Sequence, residues 1–369
     1  MRSTLARLTG GLAGLAAAVL LAACSSTLST DTPQTGLPPD TIADAFQLGS
    51  GPTKVALIVR DQTDDLADGA PNSTYLAARL AADIVAKAPI TLLVRHYDGS
   101  GKGLQAVQGE LSTQDVKLVV GPDDEAVAAR LAGAFGRKGA TVITLTGVAA
   151  PEANLFSFAI SGETEASLMA DEMRRRGYRN VALVSNPSGT ASVFTSLLAT
   201  AITAAKITVT PVDGVDPSAA ASQIAAAPAP SAIVFVESPA AAGAVLKKLR
   251  GQGLFSQVAA VGPSAWAFNA SAAAGLGPGW YLAPDGSSIS GFTTRFAAAY
   301  GQPPTPDGAL VYDLLVLAAA LPQVFPDKGY SPEILTNDQG FVGATGKFWF
   351  TSDGQVHRKL SAVDLPNAR

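Results

Sequence analysis

The sequence predicts an α/β protein built from two doubly wound, parallel-sheet (Rossmann-like) lobes. Three observations carry this expectation. From Lys54 onward, short apolar runs alternate with stretches whose apolar residues recur at helical spacing. The runs, such as residues 55–59, are uninterrupted, as expected of strands buried on both faces. The same rhythm starts again after Phe156 at a similar length, and strand–helix alternation at this pitch makes a parallel sheet clothed by helices.

In the first lobe "KVALIVR", "ITLLVRHYD", "VKLVVG" and "ATVITLTG" read as strands. "STYLAARLAADIVAKA", "LQAVQGELS" and "EAVAARLAGAFGRKG" read as helices between them. In the second, "RNVALVS", "KITVTPVD", "SAIVFVES" and "QVAAVGP" are strands. "EASLMADEMRRRGY", "SVFTSLLATAITAA", "AAASQIAAA" and "AAGAVLKKLRGQG" are helices. The remainder leaves the pattern. "GWYLAP" is strand-like, "ISGFTTRFAAAYG" and "DGALVYDLLVLAAALPQVF" are successive helices, and "GKFWFTSDGQVHRKLSAVDL" reads as two strands joined by an "SDG" turn.

The start of the chain is different. Residues 1–9 carry Arg2 and Arg7 and no acid, and residues 10–23 are apolar and small. This is the layout of a secretory signal, too short for the ~20 apolar residues of a membrane span. It ends at "LAAC", which resembles the lipobox of bacterial lipoproteins. That resemblance implies cleavage after residue 23 and lipidation of Cys24, with several acyl chains giving a stable membrane anchor. Residues 25–52, rich in Ser, Thr, Pro and Gly, read as a flexible tether; "TIADAFQL" within it has no assignable place. With one cysteine there is no internal disulfide, so the core must hold the fold. Charged residues make up 15% of the chain and hydrophobic ones 47%, so most of the chain is expected to be buried core and not disordered tail. The net charge of −4 becomes more acidic when the signal's two arginines are removed, so no basic surface for nucleic acid is expected.

The order of several strings resembles the type I periplasmic binding proteins, in the leucine-binding-protein branch. "VVGPDDEAVA" resembles that family's strand and turn into the ligand loop, and "VITLTG" its next strand and hydroxyl loop. "FSFAISGETEASLMADEMRRRGYRNVALVS" resembles its first crossover and the start of its second lobe. "RFAAAYGQPPTPDGALVYDLLVLAAAL" resembles its late helix pair, including the aromatic–acid pair Tyr312–Asp313. "GFVGATGKFWFTSDGQVHRKLSAVDL" resembles its closing segment. The resemblance spans residues 54–365. It implies three crossovers, with lobe 1 formed by residues 53–157 plus 282–340 and lobe 2 by 158–281 plus 341–369. Residues 1–23 would be the signal and 24–52 the tether.

Open parallel sheets bind ligands beyond the carboxyl ends of their strands, and two such lobes form a cleft that closes by hinge motion. The candidate loops are residues 61–62, 123–125 and 144–147 in one lobe, and 186–189, 237–238 and 264–266 in the other. An amino-acid ligand needs hydroxyls and amides for its carboxylate, an acid for its ammonium and a ring to cover it. Thr144 or Thr146 would meet the first need, Asp124, Glu125 or Glu237 the second, and Trp266 the third. Ser188 and Ser264 lie in the same loops. The sequence also departs from the family. It has "PDDEA", "NPSGT", "VESPA" and "GPSAW" where a serine, aromatics and an acid are usual, and "TLTGVAAPE" is one residue longer. The amino-acid signature is therefore not intact, which points to another ligand or to a lobe pair kept for protein contacts.

Other chemistry finds little support. "GSGKG", residues 99–103, is neither a P-loop nor GxGxxG and reads as a strand-to-helix turn. His96 and His357 are far apart, without HExxH or further cysteines, so no metal is expected. No GxSxG elbow is present and no Ser–His–Asp arrangement suggests itself. "RRR", residues 174–176, suits the negative end of a helix. The implied function is an extracytoplasmic, lipid-anchored solute-binding protein of the cell envelope that needs no cofactor and is not an enzyme. It would present a small polar ligand to an ABC permease. The alternative is a resemblance to lipoproteins of this fold that activate a peptidoglycan synthase by docking on a penicillin-binding protein.

Overall fold

The computed structural model describes residues 46–61, 73–148, 153–187, 192–285 and 288–366. The signal, Cys24, most of the tether and Ser188 lie outside the described residues.

Alternating burial builds the first sheet. Strand β2 (Thr53–Arg60) sends Val55, Leu57 and Val59 to one apolar cluster and Ala56 and Ile58 to another, so both faces are covered. Its partners are β1 (Phe46–Leu48), β3 (Ile90–Tyr97), β4 (Val116–Val120), β5 (Thr141–Thr144) and β6 (Leu155–Ser157). The order is β1-β3-β2-β4-β5-β6, parallel throughout except for β1, which runs antiparallel along β3. Helices α1 (Ser73–Leu80) and α2 (Ala82–Ala86) lie on one face, and α3 (Gly101–Ser112) and α4 (Glu125–Gly136) on the other. Of residues 99–103, Gly99 and Ser100 turn the chain out of β3 and residues 101–103 already open α3: Ser100 caps the helix by accepting the Gly103 N–H at 2.9 Å.

The second sheet has the order β15-β11-β10-β9-β7-β8. Its parallel strands are β7 (Asn180–Ser185), β8 (Thr208–Asp213), β9 (Ala232–Phe235), β10 (Ala259–Gly262) and β11 (Gly279–Pro284). Helices α5 (Gly162–Arg175) and α6 (Ser192–Ala204) cover one face through Met169, Met173, Leu198 and Ile202. Helices α7 (Pro217–Ala226) and α8 (Pro239–Gly251) cover the other through Ile224, Val245 and Leu246. A 3₁₀ turn (Ser264–Asn269) and α9 (Ala270–Ala274) link β10 to β11.

The chain then returns to the first lobe as α10 (Ile289–Tyr300), α11 (Pro306–Val324) and α12 (Pro332–Leu335). Helix α11 is long and apolar enough to cross a membrane, yet 72% of its apolar window is buried, and it packs on α1 and the first sheet. It is a core helix.

Three local expectations change. The segment read as one helix is divided at Ala81 into α1 and α2. "FQL" supplies β1, which pairs with Leu92 to Val94 of β3 and leaves a very short strand at that edge of the first sheet. The closing segment forms three strands, not two. β13 (Gly346–Phe350) and β14 (Val356–Arg358) make the hairpin around Gly354 (φ 78°) and join β12 (Phe341–Gly343) in a small third sheet. β15 (Leu360–Leu365) leaves them and runs antiparallel to β11, burying Leu360 and Leu365 in the second lobe.

The third sheet sits where the chain crosses between lobes. Phe158, just after β6, meets Phe348 edge-on with ring centroids 4.8 Å apart. The Asp285 N–H, just past β11, donates to Lys359 O at 2.8 Å. Asp313 on α11 accepts the N–H groups of Ala344 at 2.6 Å and Thr345 at 2.8 Å, and the Thr345 hydroxyl at 2.5 Å. The first two crossings and helix α11 are thus tied to one small sheet and the turns that border it.

Candidate functional site

In each large sheet the strand order reverses direction once, between β2 and β4 and between β7 and β9. A crevice opens beyond the carboxyl ends at such a point, and here a polar contact spans each. In the first lobe Arg60 Nη2 lies 3.5 Å from Asp123 Oδ2. In the second, Glu237 Oε1 accepts the Asn186 N–H at 3.0 Å.

The first-lobe candidates divide by what their side chains already do. Asp124 caps α4, accepting the Val127 N–H at 2.9 Å. Glu125 begins that helix on the surface. Thr144 is wholly buried; its hydroxyl donates to Pro122 O at 2.5 Å and accepts the Thr146 N–H at 3.2 Å. Thr146 is half-buried, and its carbonyl accepts the Ser157 hydroxyl at 2.8 Å. Thr144, Thr146, Asp124 and Glu125 therefore belong to one loop cluster at the ends of β4 and β5.

The second-lobe candidates are also brought together. Trp266 is fully buried, and its Nε1–H donates to Glu237 O at 2.8 Å. A Cβ at Gly262 would stand 2.1 Å from the Trp266 ring, so the bare glycine backbone is what lets the indole lie on the end of β10. Sequence reasoning placed this ring over a ligand; the structure seats it in the core, with a tilted Phe235 ring 6.3 Å away. The Ser264 N–H donates to Glu165 Oε1 at 2.5 Å.

Glu165 was not singled out from the sequence, because an acid in a first helical turn reads as a partner for the helix dipole. It is 7% exposed and raised above the ordinary glutamate value by burial, with the Ser264 hydrogen bonds opposing the rise. Two other groups gave no sequence signal. Tyr97, at the end of β3, is raised by burial and then by the Asp123 carboxylate. Asp307, in the first turn of α11, is raised by desolvation and by Asp123. Both shifts are led by desolvation and added to by the Asp123 carboxylate, which is itself paired with Arg60. A cavity of ≈ 540 Å³ lies elsewhere, at the amino end of the first sheet, lined by Pro52, Pro89, Lys117, Pro322 and Tyr330. None of the candidate residues reaches it.

Among solved structures, a putative branched-chain amino acid ABC transporter from Rhodospirillum rubrum is 16% identical, with a TM-score of 0.64, over 85% of this chain and 97% of that one. The branched-chain amino acid transporter substrate-binding protein of Streptococcus pneumoniae, in complex with isoleucine, is 18% identical with a TM-score of 0.59, over 85% and 96%. A solute-binding protein from R. palustris in complex with benzoate is 16% identical with a TM-score of 0.58, over 86% and 96%. At these identities the likeness establishes the fold, that of type I periplasmic binding proteins. No curated protein matches this sequence. The family model described as periplasmic binding protein matches residues 52–368, from just before β2 to beyond β15. The chain belongs to the periplasmic binding protein family.

Proposed function

We propose that the protein is an extracytoplasmic solute-binding lipoprotein, anchored through Cys24, that holds a small polar ligand between its lobes for an ABC transporter. One observation carries this reading. The hydroxyl loop of residues 144–148 is tied to the hairpin turn of the hinge sheet: Gln355 Nε2 donates to Val148 O at 3.0 Å, and beside it the Ser157 N–H at the end of β6 donates to Gly354 O at 2.7 Å. A ligand held by that loop is mechanically coupled to the crossings. Binding both lobes favours the closed state in proportion to its differential affinity. The relatives in complex with isoleucine and benzoate support a small ligand.

The test is a thermal-shift screen of the full-length protein against amino acids, organic acids, sugars and muropeptides, followed by small-angle scattering. A ligand at 100 times its Kd adds ~2.7 kcal/mol of stability and contracts the particle. A ligand that stabilises without contraction counts against closure.

A second reading, a regulatory lipoprotein that docks on a peptidoglycan synthase, is favoured by a different observation. Asp124, Thr144, Glu237 and Trp266 direct hydrogen bonds to their own lobe's backbone. Crosslinking in cells separates the two: permease subunits recovered with the protein support transport, and a cell-wall synthase supports regulation.

A further inference from the structure

Arg358, on β14, holds only part of its guanidinium in hydrogen bonds. Nη1 donates to the Thr345 hydroxyl at 2.5 Å and to Thr345 O at 3.3 Å. Nε and Nη2 are buried and have no hydrogen-bond partner. These two nitrogens form the side-on edge of the guanidinium, the one that matches a carboxylate with two parallel N–H···O bonds. The guanidinium packs against the edge-on ring pair Phe158–Phe348: Cζ lies 4.2 Å from the Phe158 ring centroid and 5.0 Å from that of Phe348. Asp313 does not fill the edge: its oxygens accept from Ala344 and Thr345, and neither Nε nor Nη2 finds a hydrogen-bond partner.

A buried cation with two idle donors is a costly arrangement. Desolvation pulls Arg358 down to about 10, against the pull of Asp313. The position is also suggestive. Phe158, under the guanidinium, donates its N–H to Thr144 O at 2.8 Å, so Arg358 stands one residue's packing away from the hydroxyl loop.

We propose that the Nε–Nη2 edge of Arg358 anchors the carboxylate of the ligand at the base of the cleft. This rests on the solute-binding reading and narrows it to carboxylate-bearing small molecules. The edge is covered in the present arrangement, so the acid reaches it as the lobes part and is enclosed as they close. Thr345 keeps the guanidinium oriented, and the rings exclude water from the pair.

The experiment is calorimetry on the full-length protein with matched acids and amides: acetate and acetamide, benzoate and benzamide, L-leucine and L-leucinamide. At least one acid is expected to bind ten-fold or more tightly than its amide. Arg358→Lys, which keeps the charge and loses the fork, is expected to weaken that acid by at least ten-fold. If the variant does not fold, the acid-to-amide ratio of the wild-type protein decides alone. Equal affinity for acid and amide overturns the anchor, as does a folded Arg358→Lys protein that binds the acid unchanged; the solute-binding reading survives both, since binding is observed. Failure of every acid to bind overturns the anchor. A sugar that still contracts the particle in scattering would then retain the broader reading, and the absence of any contracting solute would remove it.

Discussion

The Thr345 hydroxyl stands between Arg358 and Asp313, accepting from Nη1 at 2.5 Å and donating to Oδ2 at 2.5 Å. It thereby joins a strand of the hinge sheet to the core helix of the first lobe. Asp313 is 1% exposed, and burial raises its carboxyl despite these hydrogen bonds. A Cβ at Gly343 would stand 2.4 Å from this carboxyl group, so the backbone there must be bare to let the acid in.

Asp313→Ala should therefore be among the most damaging single changes. It leaves the Ala344 and Thr345 N–H groups and the Thr345 hydroxyl without their acceptor and removes the negative charge that faces Arg358. Breaking a buried charged network by removing one member costs about 3–5 kcal/mol. Urea unfolding followed by circular dichroism measures it. A loss below 1 kcal/mol would mean the network carries little of the hinge's stability.

Gly262→Ala tests the seat of Trp266. The added methyl meets the indole ring, and overpacking of this kind costs about 1–3 kcal/mol. Trp266→Phe relieves the crowding in the double variant but removes the hydrogen bond to Glu237. The double variant should therefore be less destabilised than the two single losses summed. Simple additivity would show that the ring and the glycine do not touch.

Thr144→Val deletes the hydroxyl that links Pro122 to Thr146. The Pro122 carbonyl keeps the Leu145 N–H at 2.9 Å but the Thr146 N–H loses its acceptor, so two hydrogen bonds go at a cost of about 1 kcal/mol, while Thr144→Ser should recover most of it. Ligand affinity should fall with Thr144→Val as well, because the loop of residues 144–148 loses its internal tie. A ligand bound equally by both variants would place the site elsewhere.

Glu165→Gln addresses pH. The folded-state value lies above the ordinary 4.5, so above that pH the unfolded state gives up this proton more readily than the folded one. Glu165 thus makes stability fall as pH rises from 4.5 towards its folded value. The glutamine retains an oxygen for the Ser264 N–H and has no proton to lose. Its stability should exceed the wild type's increasingly across that window and by a constant amount above it. Denaturant titrations at several pH values read the difference, and parallel curves would show that Glu165 does not titrate as argued.

Both parallel sheets were legible in the sequence because strands covered on two faces must be apolar end to end, as in Val55 to Val59 and Ala232 to Phe235. The helices were legible because their buried residues recur at one spacing. The polar strand-end loops followed from topology, and six of the candidate residues do gather there: Asp124, Glu125, Thr144 and Thr146 in one lobe, Glu237 and Ser264 in the other. What each polar side chain does was not legible. Threonine, glutamate and tryptophan serve a ligand or their own backbone equally well, and only the position of a carbonyl such as that of Pro122 or Glu237 decides between them. The division of the last segment was likewise a tertiary matter. Val356 to Arg358 and Leu360 to Leu365 have the same local character, and their separation depends on which distant partner, β13 or β11, offers an open edge. The hinge network lay furthest from local pattern, because Asp313, Thr345 and Arg358 are brought together only when α11 packs against the third sheet.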